Sequence, residues 1–242
     1  MRCKIADVTF GITPKYKYLA KICEGFIDSG ENEPECVISV TQADIDGEKE
    51  RAQGAVFPEY YLESLAAFRK ICDYLLKNKD GILFHGSAVA VDNKAYIFAA
   101  PSGTGKSTHA ALWKGLLKDK MTYINDDKPI IRVENGECFV YGTPWNGKHN
   151  LGNNIKVKLA AICEVRRGTE NRIEKVSAKE MLSVVFRQTL VPDALPEMDK
   201  YLKIIDTVFK NAELFRLYCN TEPQAAEVSY NAMALRGNKE YD

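Results

Sequence analysis

A glycine-rich segment, Ala100–Thr108, connects a run of apolar residues to a segment with helical spacing. Its residues are Ala-Pro-Ser-Gly-Thr-Gly-Lys-Ser-Thr. When a buried strand passes through such a turn into a helix, successive backbone N–H groups face one concavity, and the positive end of the helix faces it too. The segment therefore predicts a phosphate-binding loop, and it restricts the fold to α/β architectures in which a strand leads directly into a helix.

The residues of this loop have separate expected roles. Gly103 and Gly105 let the backbone approach a ligand, and Lys106 can reach the outer phosphates of a nucleotide. Ser107 can ligate Mg²⁺ through its hydroxyl. The loop begins with Ala100 where the usual pattern has glycine, which leaves open a nucleotide-binding regulatory module without turnover. The predicted nucleotide-binding residues are Ser102, Gly103, Thr104, Gly105, Lys106, Ser107 and Thr108.

The flanking sequence predicts a sheet and helices around the loop. Short apolar runs are typical of buried strands, and apolar residues at three- and four-residue steps are typical of amphipathic helices. The predicted strands are Ile82–Phe84, Ala88–Val91, Ala95–Ala99, Thr122–Ile124, Ile130–Val133, Phe139–Tyr141 and Leu159–Val165, with Leu214–Asn220 as a further candidate. The predicted helices are Glu59–Asn78, His109–Leu117, Ala178–Gln188, Met198–Lys210 and Pro223–Ala234.

The first 57 residues have a different pattern. The β-type runs Val8–Phe10 and Cys36–Val40 are separated by the polar segments Asp28–Pro34 and Asp44–Gln53. We predict a small, strand-rich α+β part at residues 1–57 and a nucleotide-binding core with C-terminal helices at residues 58–242. No linker separates them, so residues 1–242 are interpreted as a single domain. A hydrophobic content of 45% suffices for a substantial core.

Two consecutive acidic residues, Asp126 and Asp127, follow the predicted strand Thr122–Ile124. A second parallel strand after the loop and its helix would end beside the loop, so we expect both carboxylates to lie near the bound phosphates. In phosphoryl transfer a metal ion neutralises charge on the outer phosphates, while a carboxylate can accept the proton of the attacking hydroxyl. The two aspartates could divide these roles.

The segment from Gly142 to Asn154 is an unusually long predicted loop with several glycine and asparagine residues. Loops of this length inside a domain are often functional. An aromatic ring and cations on such a backbone suit a lid that covers the phosphates and orients an acceptor. The candidate acceptor-binding residues are therefore Trp145, Lys148 and His149.

The order of these motifs resembles a known superfamily. The run His85-Gly86-Ser87-Ala88, a hairpin, the loop Ser102–Thr108 and then Asp126-Asp127 resemble the nucleotide-binding core shared by HPr kinase/phosphorylase and ATP-type phosphoenolpyruvate carboxykinase, over residues 80–165. The fold that this resemblance implies is α/β, with the mixed-sheet P-loop kinase core of the HPr kinase/carboxykinase type.

The resemblance also implies roles for particular residues. A histidine of that superfamily contacts the metal or the phosphates, and this role maps onto His85. The paired aspartates supply a metal ligand and a catalytic acid or base. On the carboxykinase pattern the second aspartate, Asp127, joins Ser107 as metal ligand. Asp126 is then the catalytic base, with Lys106 and His85 as the other catalytic residues.

The expected function is an ATP-dependent, Mg²⁺-dependent phosphotransferase whose acceptor is a hydroxyl group. The acceptor could be a small metabolite or a serine of a peptide or protein. One alternative is a reversible kinase/phosphorylase of the HPr type, and another is the non-catalytic nucleotide-binding module. The choice of ATP over GTP or pyrophosphate and the existence of a homo-oligomer stay open.

Charge and cysteine content narrow the partners and the compartment. The 33 basic and 33 acidic residues cancel, which argues against nucleic acid or an anionic membrane as a partner. The seven cysteines are odd in number and contain no CxxC pair, as expected for reduced thiols. No apolar stretch approaches the ~20 residues of a membrane helix. These features predict a cytoplasmic protein.

Overall fold

Two β-sheets organise residues 1–235, the part of the chain that the computed structural model describes. The strands of the smaller sheet are β1 (Arg2–Ile5), β2 (Val8–Ile12) and β3 (Cys36–Ile38). The strands of the larger sheet are β4 (Gly81–Leu83), β5 (Ser87–Val91), β6 (Lys94–Ala99), β7 (Met121–Asn125), β8 (Ile130–Glu134), β9 (Glu137–Tyr141), β10 (Lys156–Arg167), β11 (Arg172–Lys175) and β12 (Glu213–Cys219). The α-helices are α1 (Lys17–Ile22), α2 (Gln42–Arg51), α3 (Glu59–Lys79), α4 (Lys106–Leu117), α5 (Ala178–Gln188), α6 (Leu195–Asn211) and α7 (Gln224–Tyr230).

The larger sheet is mixed and has the order β4-β8-β9-β10-β6-β5-β7, with β12 beside β10 and β11 beside β12. Strands β6, β10 and β12 are parallel. Strand β5 is antiparallel to both β6 and β7, so β7 runs in the same direction as β6. The carboxyl ends of β6, β7, β10 and β12 therefore lie along one edge of the sheet, and the amino end of β5 lies between two of them.

A tight hairpin sets the position of β5 beside β6. The two residues between these strands, Asp92 and Asn93, both have positive φ, of 49° and 58°. Turns with two such residues match the right-handed twist of an antiparallel pair, and Asp and Asn tolerate this conformation better than most residues. The hairpin brings Ser87, the first residue of β5, opposite Phe98 near the end of β6.

Helices cover both faces of the larger sheet. Successive residues of β6 alternate between them, because Ile97 belongs to the same buried cluster as Met181 of α5 and Ile204 of α6, whereas Phe98 packs against Trp113 of α4. The core strands are apolar on both faces, as expected for a sheet that is buried on both sides. This double cover fixes β6, and so the start of the glycine-rich loop, inside the core.

The N-terminal sheet packs against the long helix α3. Phe68 of α3 belongs to the same buried cluster as Phe10 of β2 and Leu19 of α1. The same cluster contains Trp145 from the loop between β9 and β10. Residues 1–57 and the larger sheet thus share one apolar cluster with α3 between them.

The sequence predicted the strands and most helices of the core to within three residues at each end. The interpretation of Asp44–Gln53 as a polar segment between strands was wrong, because most of it forms helix α2. Only Ile45 and Glu48 of this helix are buried, so apolar periodicity gave no signal. A capping box between Thr41 and Asp44 starts the helix. That Thr-x-x-Asp spacing was the available sequence signal.

Further differences concern short elements. Helix α1 and strands β1 and β11 were not predicted. The last helix, predicted as Pro223–Ala234, ends at Tyr230 and continues as a π-helical turn over Asn231–Leu235. Within residues 1–235, every helix is too short or too polar to cross a lipid bilayer.

Candidate active site

The glycine-rich loop leaves the sheet at the end of β6 and enters α4 at Lys106. Gly103 and Gly105 have φ of +75° and +126°, a region that residues with a side chain rarely occupy. A Cβ atom at either glycine would have no neighbouring atom within 4 Å. The glycines are therefore required by the backbone conformation and not by packing, and open space lies beside the loop.

Lys106 folds back along the loop. Only 8% of the residue is exposed, and its Nζ donates a hydrogen bond of 2.7 Å to the carbonyl oxygen of Ala100. Burial lowers the pKa of Lys106, while the nearby carboxylates of Asp127 and Asp126 oppose this effect. The ammonium group thus lies within reach of the loop and is influenced by both aspartates.

The sheet topology brings Asp126 to the loop. Strand β7 is not adjacent to β6, as a simple parallel arrangement would have it; β5 lies between the two. Ser87, at the amino end of β5, bridges the gap, because its Oγ donates a 2.6 Å hydrogen bond to Asp126 Oδ1. The aspartates therefore lie near the loop as expected, but β5 stands between the two strands that carry them.

Asp126 is a buried carboxyl group with 6% exposure. Burial raises its pKa, and hydrogen bonds from Ser87 and Ser107 and the proximity of His149 offset only part of the rise. The hydroxyl of Ser107 therefore interacts with Asp126, whereas the superfamily resemblance paired Ser107 with the adjacent Asp127 as metal ligands. A raised pKa suits a group that exchanges a proton near neutral pH.

Asp127 is less buried and lies beside His85 and the ammonium group of Lys128. Its Oδ1 lies 3.3 Å from His85 Nε2, and its Oδ2 contacts the ammonium of Lys128. Burial acts to raise the pKa of Asp127, but the His85 hydrogen bond and the Lys128 charge outweigh burial, so the net shift is downward. This carboxylate stays anionic, which suits a ligand for a hard cation.

His85 occupies the segment between β4 and β5, with 39% of its side chain exposed. Its ring contacts Asp127, and its backbone N–H donates a hydrogen bond to the backbone oxygen of Gln188 at the end of α5. The structure thus brings His85, Asp126 and Lys106 to the same edge of the sheet.

Sequence reasoning missed Asn125, which is fully buried. Its Oδ1 accepts hydrogen bonds of 2.9 Å and 2.6 Å from the backbone N–H groups of Asp127 and Lys128. Its Nδ2 donates to the backbone oxygen and the hydroxyl of Thr143, both at 3.0 Å. Asn125 therefore shapes the turn that carries the aspartates. An asparagine at a strand end, followed by acidic residues, is a turn signal that could have identified it.

The loop between β9 and β10 packs against this turn. Gly147 lies against Asp127, because a Cβ on Gly147 would lie 3.2 Å from Asp127 Cβ. Lys148 and His149 are exposed. Gly142 allows three backbone segments to meet, since a Cβ there would lie 1.8 Å from Asn153 O. The exposed part of the loop covers the Asp127 side of the site.

Trp145 differs from its expected place in an acceptor-binding lid. Only 5% of the residue is exposed, and its ring stacks on Phe68 of α3, with centroids 4.2 Å apart. The physical reason is apolar burial, because the indole fills the cluster between the two sheets. Lys148 and His149 are the two acceptor candidates that the structure leaves accessible.

Two cavities flank the glycine-rich loop on the side of β10. One, of about 480 Å³, lies between Pro101–Thr104 and Glu164–Arg167. The other, of about 360 Å³, is lined by the first turns of α4 and the segments that follow β10 and β12. Arg167 borders both, and its guanidinium donates to Gly103 O at 2.7 Å. The cavities and the aspartates lie on opposite sides of the loop.

Two lysines of β10 lie away from the glycine-rich loop. Lys156 and Lys158 pair with Glu134 and Glu137 at the amino-terminal half of β10, away from the loop edge.

Within residues 1–235 no cluster of three or more His, Cys, Asp or Glu side chains could hold a metal ion by itself. Mg²⁺ in nucleotide sites is usually bound by one or two carboxylates together with substrate phosphates and waters. The Ser107 hydroxyl interacts with Asp126, and Asp127 is the adjacent carboxylate, so the oxygen donors beside the open glycine loop suit that mode of binding.

No protein-family model matches the sequence, and no curated protein does either. Among solved structures, the chain has a distant likeness to the Hpr(Ser) kinase/phosphatase from Coxiella burnetii, with 10% sequence identity. The matched region covers 39% of this chain and 72% of that chain, with a TM-score of 0.28. A likeness at this level says nothing about the reaction or the site residues.

Proposed function

We propose that this chain is an ATP-dependent phosphotransferase that moves the γ-phosphate to a hydroxyl group of an acceptor. The observation that carries the proposal is the meeting of Lys106 with Asp126 and Asp127 at one sheet edge, where both carboxylates act on the pKa of the lysine. Catalysis of phosphoryl transfer depends on positioning and on charge stabilisation, and this edge supplies a cation, an anionic metal ligand and a buried base.

The donor has a natural orientation on this edge. Its phosphates would bind to the backbone N–H groups of the loop and to Lys106, with the γ-phosphate toward the aspartates. The nucleoside would then extend to the other side of the loop, toward the cavity of about 360 Å³ beside α4. That volume lies within the ~300–1,000 Å³ range of small-ligand pockets. Mg²⁺ bound by Ser107, Asp127 and the phosphates would neutralise their negative charge.

The acceptor would approach from the side of Asp127 and the exposed end of the β9–β10 loop. As the acceptor oxygen bonds to the γ-phosphorus and the bond to ADP breaks, Asp126 takes the hydroxyl proton. His85 holds the Asp127 carboxylate in place through their contact. Lys148 and His149 are positioned to meet the acceptor, which in this proposal is a small metabolite or a serine-containing peptide.

The proposal is tested by ADP release from Mg·ATP with a panel of hydroxyl metabolites and short serine peptides. We expect at least one acceptor to stimulate ADP release, and the phosphate to be found on its hydroxyl by mass spectrometry. Asp126→Asn should lower the stimulated rate by about 10²–10⁴-fold, and Asp119→Asn, which changes an exposed aspartate outside the site, should retain it. Stimulation that persists unchanged in Asp126→Asn would remove the aspartate from the mechanism.

A further inference from the structure

Gln188, the last residue of α5, contacts both the His85 segment and the glycine-rich loop. Only 5% of this residue is exposed. Its backbone oxygen accepts a 2.5 Å hydrogen bond from His85 N. With its amide nitrogen turned toward the neighbouring carbonyls, the orientation that satisfies both amide atoms, the side chain donates to His85 O at 2.7 Å and to Ala100 O at 3.2 Å.

Gln188 therefore binds both backbone groups of His85: its backbone oxygen accepts from His85 N, and its side-chain amide donates to His85 O. We call this pair of hydrogen bonds the clamp. The clamp sets the position of the His85 Cα atom and hence where its ring meets Asp127. The third contact of Gln188, to Ala100 O, ties this segment to the first residue of the loop.

The carbonyl of Ala100 is shared between two donors, Gln188 and the ammonium of Lys106. A carbonyl oxygen has two lone pairs and can accept both. When Lys106 turns toward bound phosphates, Gln188 still satisfies this buried oxygen, so the lysine can leave it without creating an unpaired polar group. The amide thus supports the loop in both positions of the lysine.

We propose that Gln188 is a positioning residue, which holds the His85–Asp127 pair in register with the glycine-rich loop. The inference rests on the proposed phosphotransfer function. It assigns to α5 a part in the reaction that the sequence did not indicate, since Gln188 lies more than 60 residues after Asp126 and has an ordinary helical neighbourhood.

Removal of the amide should leave the fold in place. The hydrogen bond from His85 N to the Gln188 backbone oxygen and the β-bridge between Phe84 and Thr189 are backbone interactions, which do not depend on the side chain at position 188. Gln188→Met keeps the length of the side chain and removes its donors. Gln188→Glu keeps the shape and places an acceptor against two carbonyl oxygens.

The test is a double-mutant cycle between Gln188→Met and His85→Ala, measured as kcat in the stimulated reaction. Gln188→Met should lower kcat by about 10- to 100-fold, the usual effect of losing a group that orients a functional side chain. The KM for ATP should change by less than about threefold, since Lys106 and the loop glycines remain. In the His85→Ala background the same substitution should have little further effect, and Gln188→Glu should follow the same pattern.

Unfolding midpoints of all variants, with Gln42→Met at an exposed glutamine as control, separate positioning from loss of fold. A crystal structure of Gln188→Met needs no turnover and should show the His85 ring moved away from Asp127. An equal loss of kcat in both His85 backgrounds, or an unmoved His85 ring, would overturn the proposal. Absent turnover in the wild type would refute the phosphotransfer function, and the position of His85 would still decide the role of Gln188.

Discussion

Asp126 and Asp127 are consecutive residues, but their surroundings shift their pKa values in opposite directions. Asp126 points into the sheet edge, where burial outweighs the hydroxyl groups of Ser87 and Ser107. Asp127 faces His85 and Lys128, whose hydrogen bond and charge outweigh its burial. A divalent cation at the site would favour the anionic form of both. Groups with pKa values pushed apart can take different catalytic roles.

The two roles predict different consequences of substitution by asparagine. Asp127→Asn should weaken binding of Mg·ATP, because a neutral amide is a poorer ligand for a hard cation. Asp126→Asn should leave that affinity nearly unchanged and lower turnover by about 10²–10⁴-fold, the usual contribution of a positioned base. Calorimetric titration combined with single-turnover assays measures both quantities. If Asp126→Asn loses affinity and Asp127→Asn loses only the chemical step, the roles are reversed.

At this scale the sequence predicted residues that belong to local patterns. The spacing Gly-Lys-Ser and the Asp-Asp pair at a strand end are each readable from a few neighbouring positions. Asn125 had a local signal, its place at a strand end before two acidic residues. Gln188, in contrast, acts on the distant segments of His85 and Ala100, and no local pattern distinguishes it from other buried amides. Trp145 was misassigned because an aromatic residue in a glycine-rich loop has the same local sequence whether it covers a ligand or fills a core.

Among the elements, helix α4 is held by α7 through a buried polar cluster. Ser229 Oγ of α7 lies 2.9 Å from His109 Nε2 and accepts a 2.8 Å hydrogen bond from Trp113 Nε1, both residues of α4. His109 directly follows the glycine-rich segment Ala100–Thr108, in the first turns of α4, and is 2% exposed. The cluster connects the start of α4, which completes the loop, to the C-terminal part of the described chain.

The histidine of this cluster makes stability depend on pH. Burial lowers the pKa of His109 from 6.5 to about 4. The unfolded chain therefore binds a proton at a pH where the folded chain does not, and the free energy of unfolding falls as the pH drops from 6.5 toward 4. Over this pH range the protonation of His109 in the unfolded chain lowers the free energy of unfolding by about 3 kcal/mol in total, and above pH 6.5 none of this stability is lost.

Urea unfolding of the wild type and of His109→Gln between pH 7 and pH 4 measures this effect. Glutamine keeps a donor near the position of Nε2 but does not titrate, so the variant should lose less stability on acidification than the wild type. Carboxyl groups elsewhere contribute equally to both proteins and cancel in the comparison. If the free energy of unfolding fell equally with pH in the two proteins, the pKa of His109 would not be lowered by folding, and the prediction would be wrong.

Element boundaries were predictable where burial imposes a period. Helix α5 was predicted at its observed ends, because its apolar residues repeat every three to four positions against the sheet. Helix α2 was missed because its surface is mostly polar. The position of β5 between β6 and β7 depends on which strands pair, and this pairing cannot be predicted from the pattern of a single sequence.

The whole molecule assembles its site from distant parts of the chain. The segment after β4, the loop after β6, the turn after β7 and the end of α5 meet because the larger sheet aligns these ends. The N-terminal part is connected to that sheet through α3 and the stacked pair of Phe68 and Trp145. We infer from the shared cluster that residues 1–57 and the core unfold together as one domain.

The two tryptophans of the chain report on different regions and can test this unity. Trp113 lies in the cluster between α4, the sheet and α7, and Trp145 lies in the cluster with the N-terminal sheet. In the single-tryptophan variants Trp113→Phe and Trp145→Phe, urea transitions followed by fluorescence and by far-UV circular dichroism should coincide. A transition of Trp145 at lower urea than the dichroism would show that the N-terminal part unfolds separately.

The most direct measurement of the central claim is a calorimetric titration of Mg·ATP into the wild type, Lys106→Ala and Lys120→Ala. Lys120 is exposed and lies outside the loop, so its substitution controls for the loss of one positive charge. The wild type and Lys120→Ala should bind with equal affinity at one site. Lys106→Ala should bind about 10- to 100-fold more weakly, because it loses a charge-assisted hydrogen bond to the outer phosphates. Equal affinity of Lys106→Ala and the wild type, or no binding by the wild type, would contradict the claim that this loop holds a nucleoside triphosphate.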